Sequence, residues 1–380
     1  MSGAGSAGLT EGATALFPPA TNLKVPLRAP GAREKGQPFF NPGMALNRDL
    51  SVLLVEAFVR AKGREVDVAD ALAGTGARAL RLAREVEAPL IVHANDGDAN
   101  AVQALRKGIA ANRLDGARIG ASEGDAHAFL AARRFDVVDL DPCGSPAPFL
   151  DAALRSVRHG GLLCATATDT GALAGKFPRV CRRRYDAHHG LHKAAWRAEV
   201  GLRVLAGAMV RSAGRFERTA VPLLSVASGH WMRVVARVED GPQGDASLKR
   251  LGSATLDAAT GNGRFLAPGE AAAEWAGPLW TGPLHDAMLL DGMAAAAAGK
   301  TLAKPKETAA LLALLRQEAD APAFWIVPDR LQKGFRPPAP RRDAFMARLR
   351  EAGSLAARSH VEPQGIRTDA DLAGLRAAWR

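Results

Sequence analysis

Cysteine is scarce: 3 residues in 380, at Cys143, Cys164 and Cys181. They show no paired spacing, so neither a disulfide framework nor a thiolate metal site is expected, and the chain suits a reducing cytoplasm. No stretch approaches the roughly 18 apolar residues that a membrane span requires, and the alanine run at 294–298 is far too short. The amino terminus lacks a charged-then-apolar signal, so secretion is not expected. Acidic residues are in deficit, 39 against 50 Lys and Arg, for a net charge of +11. That imbalance suits a polyanionic partner such as nucleic acid, the alternative being a solvated basic surface of no specific use. Tyrosine occurs once, which leaves stacking on nucleobases to 13 Phe and 6 Trp.

What is present is a long alternation of short apolar runs and amphipathic segments. Residues 1–36 are rich in Gly, Ala, Pro and Ser, and about the first eight are expected to be disordered. A helix is expected over 47–58. Strands then alternate with helices: strands at 65–71, 89–94, 118–121, 135–140 and 161–167, helices at 78–87, 98–112, 126–133, 148–157 and 199–212, and a late strand at 230–238. Such βαβ alternation predicts an α/β fold with a doubly wound, Rossmann-like, mostly parallel sheet. The Gly- and Asp-rich stretch 240–262 marks a boundary. It divides the chain into a domain over 1–240 and a second, smaller α/β domain over 241–380. The latter has helices around 307–318 and 342–351 and a strand around 323–327.

The most informative segment is Val137-Val138-Asp139-Leu140-Asp141-Pro142-Cys143-Gly144-Ser145-Pro146. A buried strand ends in a carboxylate and a tight loop, at the carboxyl end where open α/β sheets bind ligands. An Asp-Pro there resembles the loop with which S-adenosylmethionine-dependent enzymes methylate exocyclic amines. Such an amine is a poor nucleophile, because its lone pair is delocalised into the base. The Asp141 carboxylate and the Pro142 carbonyl can accept its N–H hydrogens, turn the lone pair outward and stabilise growing positive charge. Asp139, two residues back on the same strand face, is read as structural or cofactor-positioning.

Asp70-Ala71-Leu72-Ala73-Gly74-Thr75-Gly76-Ala77-Arg78 is a strand end, a glycine turn and a helix start, suited to close approach by a cofactor. Asp70 and Gly74 belong to that site. A third glycine is missing from the dinucleotide pattern, with Ala79 in its place. The second strand ends at Asp96-Gly97-Asp98, and either carboxylate can accept ribose hydroxyls or cap the next helix. After the third strand, Asp125 is placed to accept an adenine amino group and the Ala126 N–H to reach a ring nitrogen, unless Asp125 is a helix cap. Carboxylates at successive strand ends favour an adenosine cofactor without a pyrophosphate, such as S-adenosylmethionine.

Cys143 and Cys164 also suit a different chemistry, attack by a thiolate on carbon 5 of cytosine. Their commoner state is that of small apolar core residues. A non-catalytic RNA-binding protein is the third reading. A dehydrogenase would need a pyrophosphate loop and a hydride-transfer residue, which are lacking.

Ordered segments along the chain resemble the tRNA guanine-26 N2-dimethyltransferase family. They are Glu11-Gly12-Ala13-Thr14, Phe39-Phe40-Asn41-Pro42-Gly43-Met44-Ala45-Leu46-Asn47-Arg48-Asp49, residues 73–78, Asn95-Asp96, residues 139–151, residues 166–175, residues 277–283 and residues 359–368. The resemblance implies methyl transfer from S-adenosylmethionine, once or twice, to the N2 amine of guanine 26 in tRNA. It also implies that Arg48 and Arg78 join Asp96 or Asp98, Asp125 and Ala126 around the cofactor. Both arginines can pair with the methionine carboxylate or sit in structural ion pairs. Phe40, Cys143 and Gly144 are expected at the base pocket, with Phe39 and Phe40 equally suited to the core. Two departures stand out: Cys143 replaces the family's usual aromatic, and residues 261–276 lack the cysteines of a zinc site, so no metal is expected. The target base must leave its stack to be reached. Arg182-Arg183-Arg184, Lys304-Pro305-Lys306 and residues 333–342 are candidate phosphate contacts. A cytoplasmic monomer is compatible with these features.

Overall fold

A computed structural model describes residues 8–19, 38–241, 244–257, 260–331, 335 and 338–379. The expected disorder of the first residues, and Lys333 and Arg336 of the basic run, lie outside the described residues. By contact density the chain divides into two compact units. Met1–Ala165, Arg237–Glu239 and Met288–Leu312 form one, and Thr166–Ala236, Asp240–Ala287 and Ala313–Arg380 the other.

The first unit opens with a hairpin, β1 (Leu9–Glu11) and β2 (Thr14–Leu16), followed by helix α1 (Ala45–Lys62). Helix α1 stops at Gly63, whose left-handed backbone lets its N–H reach the Val59 carbonyl. Then come β3 (Val66–Asp70), α2 (Ala77–Glu85), β4 (Leu90–Asp96), α3 (Ala99–Ala111), β5 (Ile119–Glu123), α4 (Ala126–Ala132), β6 (Phe135–Leu140), α5 (Leu150–Ser156) and β7 (Val157–Ala167). Every residue of β6 is buried, as a central parallel strand covered on both faces requires. The helix expected over 148–157 is shorter: a 3-10 turn at Ala147–Phe149 leads into α5, and β7 begins at Val157.

The second unit contains α6 (Thr170–Leu173), α7 (Pro178–Tyr185), β8 (His188–His189) and α8 (Arg197–Gly214). The hairpin strands β9 (Arg218–Ser228) and β10 (Trp231–Asp240) follow. The seven-stranded sheet runs β5-β4-β3-β6-β7-β10-β9. Strands β3 to β7 pair in parallel. From β3 the chain moves outward to β4 and β5, then returns to β6 on the other side of β3. The order therefore reverses between β3 and β6, the position at which such sheets bind ligands. Strand β9 was not expected, because Pro222 interrupts its apolar run. Its edge position in the sheet accommodates a residue without a backbone N–H.

Beyond Asp240 lie α9 (Gly244–Leu248), β11 (Leu251–Leu256), β12 (Gly263–Phe265) and β13 (Trp275–Trp280). With β8 they make a four-stranded antiparallel sheet in the order β12-β11-β13-β8. Helices α10 (Ala287–Ala296), α11 (Pro305–Ala319), α12 (Pro328–Leu331) and α13 (Arg342–Glu351), a hairpin of β14 (Ala356–Arg358) and β15 (Ile366–Thr368), and α14 (Leu372–Trp379) complete the chain. Phe345, Leu349, Ile366 and Trp379 form the core around the last hairpin. The strand expected over 323–327 reduces to one bridge, Ile326 with Ile366. Phe324 adopts a left-handed backbone, with φ at 64°, and its N–H donates to Glu199 Oε1, which ends any extended run. No helix of the described residues is long and apolar enough to cross a membrane.

A buried ion network fixes the start of the first unit. Arg81, 0% exposed, reaches Asp49 at 2.6 Å, Glu85 at 2.7 Å and Glu11 at 3.1 Å. Glu85 in turn accepts from Ala13 N and Thr14 Oγ1, pinning the β1–β2 hairpin. Asp49 accepts from the N–H groups of Ala303 and Lys304 at 3.0 and 2.7 Å. Removing Arg81 leaves three buried carboxylates without their shared cation. Arg81→Leu is expected to lower stability by about 3–5 kcal/mol, the usual effect of breaking a buried pair. A denaturant midpoint within error of the parent would show that the network does not hold the unit together.

Candidate active site

The turn after β3 is built for close approach. Ala73 N donates to Asn95 O at 2.8 Å, and Gly74 N to Asp96 Oδ2 at 2.7 Å. Gly74 and Gly76 have φ of 54° and 78°, the left-handed region that favours glycine. A Cβ on Gly74 would lie 3.0 Å from the Phe39 carbonyl oxygen, and one on Gly76 2.4 Å from Leu105 Cδ1. Asn95, which sequence reasoning placed only in a family segment, ties neighbouring strand ends together. Its Nδ2 donates to Gly124 O at 2.9 Å, and its Oδ1 accepts from Ser122 Oγ at 3.0 Å.

Four carboxyls meet at the switch point. Asp70 ends β3 in register with Asp139 of β6, Asp96 ends β4, and Asp141 follows β6. Arg78, buried in the first turn of α2, faces them. It pairs with Asp141 through Nη2 and lies 3.5 Å from Asp139 through Nε. On its other side, Nη1 donates to Asn47 Oδ1 at 2.9 Å and to Ser51 Oγ. Asn47 and Ser51 were not among the expected site residues. One helical turn apart on α1, they orient the guanidinium. Arg48 is likewise committed within the chain, to Glu11 at 2.6 and 2.5 Å and to the Asn41 carbonyl. Both arginines thus make internal ion pairs.

Asp70 is 2% exposed, and its Oδ2 is buried with no hydrogen-bond partner among the described residues. Burial, reinforced by Asp139, Asp141 and Asp96 and opposed by Arg78, pushes its carboxyl up to about 7. Asp96 accepts from Gly74 N with one oxygen and from Asp98 N with the other. Asp98 caps α3 through Asn100 N, and Asp125 caps α4 through Ala128 N. Capping uses one oxygen of each and leaves acceptor capacity on the carboxylate. The Ala126 N–H belongs to the first turn of α4, where a helix supplies no acceptor of its own.

Phe40 is 4% exposed and lies under the Arg48 guanidinium, 5.0 Å from its ring centroid, so it is a core residue; Phe39 is 44% exposed. Pro142 and Gly144 are half-buried on the loop, Gly144 with φ of 123°. The expectation that both candidate cysteines are core residues holds for Cys164 and fails for Cys143, which is exposed. Cys164 is an interior residue of β7 in register with Asp139, whereas Cys143 lies past the strand end, where the loop leaves the sheet. Cys181 is buried, and burial, with Asp169 adding to it and Arg211 opposing, pushes its thiol up to about 12.

In the second unit, His285, Glu318 and His360 converge, their candidate ligand atoms within 4.8 Å of one another. Ala227 N donates to His360 Nε2, so the ring proton is on Nδ1, which donates to Glu318 at 2.9 Å. Arg367 adds a cation on Glu318, also at 2.9 Å. His285 stands 3.4 Å from Glu318 through Nε2, and neither of its ring nitrogens has a hydrogen-bond partner among the described residues.

The first unit therefore offers a glycine turn, strand-end acceptors, a helix-start N–H and a buried carboxyl without a partner. That set fits an adenosine ligand that carries positive charge, as S-adenosylmethionine does. Gly74→Ala combines a strained backbone with a tight contact. It is expected to lower stability by about 1 kcal/mol or more, read as a fall in melting temperature; an unchanged value would show that the turn tolerates a side chain.

A family model described as N2,N2-dimethylguanosine tRNA methyltransferase matches residues 21–380. A tRNA (guanine(26)-N(2))-dimethyltransferase of Methanothermobacter thermautotrophicus is 35% identical over 363 residues, 92% of each chain. One of Thermococcus kodakarensis is 36% identical and covers 87% of this chain and 90% of its own. The solved structure of Trm1 from Pyrococcus horikoshii in complex with S-adenosyl-L-methionine superposes with a TM-score of 0.85, at 30% identity, covering 98% of this chain and 99% of that one. With its glycine turn, switch-point carboxylates and Asp-Pro loop in this arrangement, the chain belongs to the N2,N2-dimethylguanosine tRNA methyltransferase family.

Proposed function

We propose that this chain methylates the N2 amine of guanine 26 in tRNA, using S-adenosylmethionine. The observation that carries the reading is Asp141. It sits past the end of β6 at the switch point, half-buried, with its carboxylate held by Arg78. Bound S-adenosylmethionine supplies an electrophilic methyl group on a sulfonium. The Asp141 carboxylate and the Pro142 carbonyl accept the N–H hydrogens of the amine and turn its lone pair toward that methyl. Pairing with Arg78 fixes the direction of Asp141, so it acts as an acceptor that orients the amine and stabilises charge on nitrogen. Holding amine and methyl in line supplies much of the remaining rate.

Asp96 or Asp98 meets the ribose hydroxyls, Asp125 and the Ala126 N–H the adenine, and Gly74 gives room for the methionine end. Asp70 and Asp139 face the positive charges of the cofactor. Arg48 and Arg78 shape this pocket through their internal pairs. The exposed Phe39, with Cys143 and Gly144 of the loop, borders the entry for the base, and Phe40 supports it from the core.

We assign methyl transfer to residues 1–240 and the main tRNA contact to 241–380, with basic residues of the first part adding to it, in the cytoplasm. The net charge of +11 and exposed cations support binding to the tRNA backbone. Arg182 and Arg183 on α7, Lys304 and Lys306 at the start of α11, and Arg341 before α13 are such cations.

Incubation with unmodified tRNA and S-adenosylmethionine is expected to yield N2-methylguanosine or N2,N2-dimethylguanosine at position 26, read by nucleoside mass spectrometry. A methyl on cytosine, or none, would overturn the reading. Asp141→Ala should lower the rate by about 10²–10³-fold, the usual loss when one positioned electrostatic group is removed, with cofactor affinity retained. The double variant Cys143→Ala, Cys164→Ala should still methylate guanine, since no covalent intermediate is needed. Loss of activity in a folded double variant would revive the thiolate mechanism.

A further inference from the structure

Asp70 takes no part in accepting the base, yet it is the most deeply placed carboxyl of the switch point. It ends β3 beside Asp139, is 2% exposed, and keeps a buried Oδ2 with no hydrogen-bond partner among the described residues. The charged groups facing it are Arg78 from α2, Asp139 and Asp141 from β6 and its loop, and Asp96 from the end of β4. Arg78 is already committed to Asp141 and Asp139. Asp70, Asp139 and Asp141 thus share one guanidinium, and the one best removed from water has no donor on Oδ2 among the described residues. With nothing positive added, the lowest-energy arrangement keeps a proton on Asp70. Consistent with this, burial and the neighbouring carboxylates push its carboxyl up to about 7.

A cation entering the site reverses that preference. S-adenosylmethionine carries a sulfonium and an ammonium against one carboxylate, a net single positive charge. S-adenosylhomocysteine, the product, has lost the sulfonium and is net neutral. We propose that Asp70 is a proton switch tied to the charge of the bound cofactor: its proton goes to solvent when S-adenosylmethionine binds and is regained when S-adenosylhomocysteine remains.

The inference rests on the methyltransferase reading above. The proton count closes over a turnover. The C–S bond breaks with its electron pair left on sulfur, the amine lone pair forms the N–C bond, and the amine sheds one proton. One proton is released on cofactor binding, one is displaced from nitrogen, and one is regained by Asp70, a net release of one per methyl transferred. The switch also separates substrate from product. Raising the pH favours the sulfonium form of the cofactor and leaves the thioether unaffected, so product inhibition weakens as pH rises toward 7.

Isothermal titration calorimetry of the full chain decides the matter without turnover. Each ligand is titrated in buffers of different ionisation enthalpy, over pH 5.5 to 7.5. S-adenosylmethionine should release close to one proton near pH 6. Its Kd should tighten about tenfold per pH unit at the acid end and level off above about pH 7, as linkage to one group requires. S-adenosylhomocysteine should release none, with a Kd that changes less than about twofold across the range. Asp70→Asn should flatten the S-adenosylmethionine profile and leave the affinity for S-adenosylhomocysteine nearly unchanged. If that variant does not fold, the wild-type titrations decide alone. Binding of S-adenosylmethionine without proton release overturns the switch and leaves the methyltransferase reading standing. Equal release with both ligands overturns its dependence on the sulfonium. Failure of S-adenosylmethionine to bind overturns the methyltransferase reading and the switch with it.

Discussion

One guanidinium organises the reactive end of the sheet. Arg78 stands where β3 and β6 separate and faces the carboxylates of Asp139 and Asp141. Without a cation there, Asp141 would have no fixed direction. The position of Arg78 depends on the turn before it. Gly74 and Gly76 carry the chain through left-handed backbone from the end of β3 into α2, so that Arg78 falls in the first helical turn. It depends equally on α1, whose Asn47 and Ser51 accept from the other side of the guanidinium.

This explains why α1 is an unusual helix. Asn47, Arg48, Asp49, Ser51 and Glu56 are all buried on it, where a surface helix would show them to water. Each has a partner in the first unit. Asn47 and Ser51 hold Arg78, Arg48 holds Glu11, Asp49 holds Arg81 and the backbone before α11, and Glu56 pairs with Lys300 at 3.3 Å. A helix of this kind gains little from apolar burial of those positions. It fixes geometry, because each buried charge tolerates few alternative arrangements.

Much of this was legible in the sequence because strand ends are local events. A short apolar run stopping at Asp70, Asp96 or Asp141 shows both the strand and the ligand-facing carboxylate in one window. Helix α13 fell at the expected 342–351 for the same reason, a polar start and an apolar period. What escaped depends on partners distant in the chain. Nothing near Arg78 shows that Asn47 and Asp141 flank it, and nothing near Glu11 points to Arg48 and Arg81. Strand β9 was hidden by Pro222, whose fault is harmless only at a sheet edge. The strand expected at 323–327 was an apolar run that Phe324 and the buried Glu199 turn out of extended form. Cys143 was expected in the core because free cysteine is commonly buried, but the loop after β6 leaves it exposed.

Charge links the fold to the chemistry. Amine methylation moves positive charge from sulfur to nitrogen and then out of the site as a proton. A pocket that only bound the cofactor could be neutral; one that carries charge through these steps needs surplus negative charge that does not drain into a fixed ion pair. Here Asp141 and Asp139 are tied to Arg78, which makes them rigid. Asp96 is tied to two backbone N–H groups. Asp70, whose Oδ2 has no hydrogen-bond partner among the described residues, is the carboxyl on which the proposed switch rests. The division of labour follows from the strand order. The pair of strands at the switch point puts one carboxylate, Asp141, outward on the loop, and one, Asp70, inward at the strand end, away from water. The first is held in a fixed direction by Arg78. The second must not be ionised in every state, and its burial sees to that.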